Sequence, residues 1–109
     1  MTMNHEHALL GNAMNSPNLL PTICGELTEE DFSTPDLRTI FTVIKHLWES
    51  EQKVDLATVA AELEKRGELE KVGGYDLLFD IVQFPITDAN TDAYIERMHE
   101  SRARRQFNR

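Results

Sequence analysis

The 109-residue sequence contains one cysteine, four prolines and five glycines, and only 7% of its residues are aromatic. The lone Cys24 cannot form an internal disulfide, which excludes a small scaffold held together by disulfide bonds. Uninterrupted apolar runs are short, such as Leu77-Leu78-Phe79, whereas a transmembrane helix needs about 20 mostly apolar residues. The N-terminus lacks the basic start and long apolar stretch of a secretion signal. We therefore expect a cytoplasmic protein with no membrane partner.

The composition favours one globular domain that spans residues 1–109, because 40% of the residues are hydrophobic and 28% are charged. Eleven Lys and Arg stand against 19 Asp and Glu, for a net charge of −8. Residues 97–109 hold five arginines and one glutamate (5 − 1 = +4), so residues 1–96 carry 6 − 18 = −12. A body this acidic repels phosphate backbones, and we expect no strong nucleic-acid binding by this domain.

Apolar residues recur with helical spacing, and no long stretch alternates as a strand would. The sequence therefore predicts an all-α fold, a compact bundle of about five or six helices. Cap-then-proline pairs and an Asp cap mark several helix starts: Ser16-Pro17, Thr34-Pro35 and Asp55. The predicted helices cover residues 4–14, 17–24, 35–51, 56–66, 75–83 and 88 onward, with a single capped turn at 28–32. Pro85 is expected to end the fifth helix, and Thr87 or Asp88 to cap the sixth.

The helix over 35–51 carries the clearest apolar stripe and is predicted to be the central core helix. Three glycines, Gly67, Gly73 and Gly74, are expected at turns that end or separate helices. The predicted core consists of Phe32, Ile40, Phe41, Ile44, Leu47, Leu56, Val59, Leu63, Leu77, Leu78 and Ile81.

Catalytic patterns are scarce in this sequence. There is no P-loop, and Gly73-Gly74, which alone could touch a phosphate, is followed by no lysine, so a turn is favoured. His5 and His7 lie two residues apart, whereas a helical ligand pair needs three or four, so solvated histidines are favoured over a metal site. Cys24 has no neighbouring base and is interpreted as a small buried residue rather than a nucleophile.

Two further features have both a structural and a functional interpretation. The acidic run Glu29-Glu30-Asp31 suits acid–base chemistry or cation binding, but a capping and dipole role at a helix start accounts for it. Trp48 continues the apolar stripe of its helix, which favours the core or its edge over an exposed recognition site. The chain by itself is therefore predicted not to be an enzyme.

Eight short stretches match, in order along the chain, the motifs of one known family. They are Glu6-His-Ala-Leu-Leu-Gly11, Leu27-Thr-Glu-Glu-Asp-Phe32, Arg38-Thr-Ile-Phe41, Val54-Asp-Leu-Ala-Thr-Val59, Leu63-Glu-Lys-Arg-Gly67, Leu69-Glu-Lys-Val-Gly-Gly74 followed by Leu77-Leu78, and Ala89-Asn90 and Tyr94-Ile95 in the last helix. Through these stretches the sequence resembles the N-terminal domain of DnaB-type replicative helicases over most of its length. Ser33 and Leu37 depart from the family, which often has an aromatic residue and a histidine there.

The resemblance implies a non-catalytic collar domain of a ring-shaped hexameric helicase, whose last helix starts the family's helical hairpin. It implies primase, a helicase loader and other helicase subunits as partners. The motor domain is absent from this chain, and ATP and Mg²⁺ would belong to it, so no cofactor is expected here. The basic terminal segment either pairs with an acidic neighbour or solvates a helix. Its candidate partner-contact residues are Arg97, Arg102, Arg104 and Arg105.

Two alternatives remain open at this point. One is a stand-alone adaptor or decoy of the same fold that binds a helicase or a primase. The other is a helix-turn-helix DNA binder formed by residues 54–67 and the helix over 75–83. The second alternative is disfavoured because the would-be reading helix contains Asp76 and Asp80 but no Lys or Arg to meet phosphates.

Overall fold

The computed structural model describes residues 4–84 and 91–107, and within these ranges the chain is helical with no strand. Short 3-10 turns at Pro17–Leu19, Glu29–Asp31 and Glu70–Val72 connect the helices. The predicted all-α class is confirmed, and the six α-helices of the described ranges agree with the predicted number of about five or six. The helices are α1 (His5–Asn15), α2 (Leu20–Glu26), α3 (Pro35–Glu49), α4 (Leu56–Lys65), α5 (Gly74–Val82) and α6 (Thr91–Phe107).

The helix starts follow from local capping chemistry. Asp55 caps α4 by accepting the Thr58 N–H at 2.8 Å, and the Thr58 hydroxyl accepts the Asp55 N–H at 2.9 Å. Thr34 caps α3 and Pro35 occupies its first turn, as the sequence predicts. The predicted helix over 17–24 instead begins as a 3-10 turn and becomes α-helical at Leu20. Pro85, which is predicted to end the fifth helix, and Thr87 and Asp88, which are predicted to cap the sixth, lie outside the described residues.

The core is built around α1 and α3. Helix α1 contacts α3, α5 and α6, and α3 also packs against α4 and the two 3-10 turns at residues 29–31 and 70–72. The Cα radius of gyration is 13.0 Å, as expected of one compact domain of about 100 residues. None of the helices in the described ranges is long and apolar enough to cross a membrane.

Most of the predicted core residues are buried, but Leu56 and Leu77 lie only partly buried at the edge of the core. Leu56 is the first residue of α4, directly after the cap, where the helix emerges at the surface. Leu77 lies over Gly73 and lines a surface cavity. The buried members of the set are Phe32, Ile40, Phe41, Ile44, Leu47, Val59, Leu63, Leu78 and Ile81.

Helix α1 is tied to three other parts of the chain by polar and close-packed contacts. The buried Glu6 carboxylate accepts the Ser33 backbone N–H at 2.6 Å and the Ser33 hydroxyl at 2.8 Å. The Asn12 amide donates to the Thr91 hydroxyl at 3.1 Å across 79 positions of sequence. A Cβ on Gly11 would lie 2.6 Å from the carbonyl oxygen of Ile81. Glycine at position 11 therefore permits the close approach of α1 to α5.

The three predicted turn glycines all adopt left-handed backbone conformations. Gly67 has φ +71° after α4, while Gly73, with φ +112°, follows the last 3-10 turn and Gly74, with φ +75°, begins α5. Glycine enters this region without the steric penalty that other residues meet. The consecutive left-handed residues turn the chain sharply, so that α5 can pack against α1.

Candidate functional site

An aromatic pair stands out on the surface of α5. Tyr75 and Phe79 are 49% and 43% exposed, whereas Leu78 and Ile81 of the same helix are fully buried. Residues four apart share a helix face, so the two rings form one apolar ridge. Exposed Asp76 and Asp80 flank it. Aromatic side chains are enriched in the centres of protein interfaces, and this surface has the composition of a contact site.

A second surface is a cavity of about 450 Å³ lined by Glu30, Arg38, Arg102, Arg105 and Gln106. We call it the arginine groove. It brings α6 together with α3 and the turn at residues 29–31, although α6 begins more than 40 residues after α3 ends. Arg102 and Arg105, which the sequence predicts as contact residues, line this groove together with Arg38.

Each arginine of the groove has a defined internal partner. Arg38 Nε donates to the Phe32 carbonyl at 2.9 Å, and Arg105 Nη2 donates to the Glu30 carbonyl at 2.9 Å. Arg102 Nη2 pairs with the Glu30 carboxylate at 2.7 Å. These contacts hold the guanidinium groups in place at the protein surface.

The other two predicted contact residues do not line the groove. Arg97 and Arg104 are exposed on α6. The charge of Arg97 acts on His5 and contributes to lowering the pKa of that histidine, after the larger effect of burial. Arg109 of the basic segment lies outside the described residues. Of the four predicted contact residues, Arg102 and Arg105 therefore line the groove, whereas Arg97 and Arg104 are exposed elsewhere on α6.

The acidic run lies in the first turn, as the predicted capping and dipole role requires, and its capping contact is made by Asp31. Buried Asp31 accepts the Thr28 N–H at 2.9 Å, which closes a capping box. Glu30 instead extends to Arg102, and its side chain is 63% exposed. The capping and dipole role therefore does not account for Glu30 fully, because α6 packs against this turn and Arg102 pairs with its carboxylate.

The prediction of solvated histidines is wrong. His7 is buried, and its Nδ1 accepts the Asn4 N–H at 3.2 Å, while His5 is partly buried. Helix α1 is covered by several neighbours, so its first turn has little solvent-facing surface. Burial lowers the pKa of both histidines, and nearby Glu6 opposes the shift. Both rings therefore favour the neutral form.

Cys24 is a buried thiol, as predicted. Burial raises its pKa to about 11, which suppresses the nucleophilic thiolate. Trp48 is partly buried against the core, which confirms its placement at the core edge. In the part of the chain that the structure describes, no three His, Cys, Asp or Glu side chains converge on a possible metal position.

The geometry between α4 and α5 differs from a helix-turn-helix. Residues 66–73 separate the two helices and include a further 3-10 turn, whereas the DNA-binding motif uses a turn of about three or four residues. The exposed side of α5 presents the aromatic pair and two aspartates. The two aspartates would repel the phosphates of DNA, so α5 is not suited to read a DNA groove.

Sequence reasoning missed Arg38 and the aromatic pair as site residues. A signal for the pair was present, since Tyr75 and Phe79 fall off the apolar stripe formed by Leu78 and Ile81. Arg38 offered no such signal. Its role depends on the position of α6, which the local sequence does not specify.

Comparisons with a family model and with known proteins identify the family of this chain. The family model of the DnaB-like helicase N-terminal domain matches residues 2–100. Proteins described as replicative DNA helicase DnaB are similar: that of Rhodothermus marinus is 33% identical over 94% of this chain, and that of Haemophilus influenzae is 31% identical over 94%. The protein from Mycobacterium leprae is 30% identical over 82% of this chain.

The matched region spans 11% of the Rhodothermus protein, 22% of the Haemophilus protein and 15% of the Mycobacterium leprae protein. The crystal structure of the N-terminal domain of DnaB helicase from Mycobacterium tuberculosis superposes with a TM-score of 0.87 and 29% identity. That match covers 93% of this chain and 72% of the other. The chain thus belongs to the family of DnaB-like helicase N-terminal domains.

Proposed function

We propose that this chain is the non-catalytic collar part of a hexameric replicative DNA helicase. In this role it contacts neighbouring subunits of the ring and recruits primase or a helicase loader during DNA replication. ATP hydrolysis, with its Mg²⁺, belongs to a separate motor region in this proposal.

The exposed aromatic pair of α5 is the observation that carries the proposed subunit contact. Tyr75 and Phe79 leave about half of each side chain in water, whereas the other large apolar side chains of residues 4–84 and 91–106 are at least partly buried. Burying such rings against another chain is favourable at roughly 25 cal/mol per Å² of apolar surface. We infer that this ridge is covered when subunits assemble.

Association of the purified chain tests this contact. Sedimentation equilibrium at high protein concentration is expected to show weak self-association of the unaltered chain and none for Phe79→Ala. Tyr75→Phe is the matched control, since it keeps the ring while removing only the hydroxyl. Equal association of the unaltered chain and Phe79→Ala would exclude the ridge as a subunit contact.

The mass of the natural protein separates the helicase role from that of an independent adaptor. An antibody against this domain is expected to detect, in the source cells, a protein several times larger than 12.5 kDa, the mass of this chain. A band at 12.5 kDa would instead favour an adaptor or decoy that binds a helicase or primase. Co-purification with primase or loader from the same cells then tests recruitment directly.

A further inference from the structure

We propose that the arginine groove binds carboxylate side chains of an acidic segment in a partner protein. This assignment rests on the recruitment role proposed above and gives that role a location and a chemistry. The groove has a volume of about 450 Å³, within the range of small-ligand sites and large enough for one or two acidic side chains.

Two of the three arginines are positioned without being neutralised. Arg38 and Arg105 each donate to a backbone carbonyl, of Phe32 and Glu30 respectively. A carbonyl carries no net charge, so each guanidinium keeps its positive charge. Each also has five N–H donors, and a single bond to a carbonyl leaves others to bind an incoming carboxylate. Arginine held in a fixed orientation is well suited to bidentate carboxylate binding.

The third arginine already shows the kind of contact that the groove favours. Arg102 binds the Glu30 carboxylate at 2.7 Å, donates to the Thr28 hydroxyl at 3.3 Å and lies 3.8 Å from Asp31 Oδ2. The Glu30 side chain is 63% exposed, so water and salt screen its pairing with Arg102. We infer that Glu30 occupies the position of a partner carboxylate and competes with it.

The charge distribution favours a short acidic segment over a nucleic acid. Residues 1–96 carry a net charge of −12, from 6 basic and 18 acidic side chains. A long phosphate backbone that reached the groove would also run along this acidic body. A peptide with a few adjacent carboxylates contacts the groove alone and avoids most of that repulsion.

Fluorescence anisotropy with a labelled oligoglutamate peptide at low ionic strength tests the proposal. We expect the unaltered chain to bind this peptide and to ignore an oligoglutamine peptide of the same length. Arg105→Gln is expected to weaken binding about tenfold, because a charge-assisted bidentate contact is lost. Arg105→Lys is expected to restore part of the affinity.

Two matched variants separate a specific groove from general attraction. Arg104 directly precedes Arg105 in α6 but does not line the groove. Arg104→Gln removes the same charge and is expected to change the affinity for the peptide by less than about twofold. Glu30→Gln is expected to tighten peptide binding severalfold, since it releases Arg102. Circular-dichroism melting of each variant verifies that the fold is retained.

Three results would overturn the proposal: no peptide binding by the unaltered chain, equal weakening by Arg104→Gln and Arg105→Gln, or preferential binding of oligothymidylate over the peptide. Co-purification with primase or loader is measured in parallel. Peptide binding without co-purification would contradict the recruitment role and leave the groove intact. Co-purification that Arg105→Gln does not weaken would contradict only the groove.

Discussion

Replacement of Phe41 by alanine probes the central packing of this domain. Phe41 is fully buried on α3, and its ring lies 5.0 Å, between centroids, from that of Phe32 at an interplanar angle of 33°. Phe32 is fully buried as well, and it precedes α3 in the turn that Asp31 caps. The substitution therefore removes one member of an aromatic pair and leaves a cavity between α3 and the preceding turn.

Phe→Ala substitutions in a fully buried position cost about 3–5 kcal/mol, which combines lost transfer free energy with the cavity left behind. A domain of this kind has a total free energy of unfolding of about 5–15 kcal/mol, so the loss is a large part of it. Each kcal/mol lowers the Tm of a domain of about 100 residues by roughly 4–8 °C, which gives an expected decrease of about 12 °C or more.

Thermal melting followed by circular dichroism measures this effect, with urea unfolding as a second estimate of the free energy. Phe79→Ala is the matched control, because Phe79 is 43% exposed and its loss is expected to change stability by no more than about 0.5 kcal/mol. A double-mutant cycle with Phe32→Ala is expected to show a coupling of about 0.5–1.5 kcal/mol from the ring contact. A melting curve of Phe41→Ala that coincides with that of the unaltered chain would refute this description of the core.

Three further predictions concern backbone and protonation. Gly74→Val is expected to destabilise the domain by about 1–2 kcal/mol or more, because φ is +75° there, and a melting temperature equal to that of the unaltered chain would contradict it. Gly11→Ala places a Cβ against the Ile81 carbonyl and is expected to lower the free energy of unfolding in urea by about 1–3 kcal/mol, although alanine has the higher helix propensity. A stabilised variant would show that α1 and α5 separate easily. Burial lowers the pKa of His5 and His7 from 6.5, so the unfolded chain binds protons more readily than the folded chain. The contribution of the neutral rings to the free energy of unfolding is therefore complete above pH 6.5 and decreases as the pH falls below that value. Melting at a series of pH values tests this, and replacing both histidines by asparagine is expected to flatten the dependence.

Local features of the structure were predictable because their causes lie within a few residues. Asp55 and Thr58 form a capping box three residues apart, and Thr34-Pro35 starts α3 by the chemistry of its own side chains. The glycines at 73 and 74 are needed by the turn itself, whichever helix follows. The apolar stripe of α3 likewise follows from helical spacing alone.

Features that join distant segments were not predictable from the sequence. The link from Glu6 to Ser33 and the pairing of Glu30 with Arg102 depend on how α1 and α6 pack against the turn before α3. His7 and Leu77 show the same dependence in their burial, since helical spacing indicates which residues share a face but not how many neighbours cover that face.

The helical class, the caps, the turn glycines and most of the core follow from the order of the amino acids, since each depends on short-range sterics, hydrogen bonding or periodicity. The meeting of Arg38 with Arg102 and Arg105 in one groove, and the exposure of Tyr75 and Phe79, depend instead on how the helices pack. These surfaces are formed by contacts between helices. Such contacts depend on the summed packing of the whole core, which no local segment encodes.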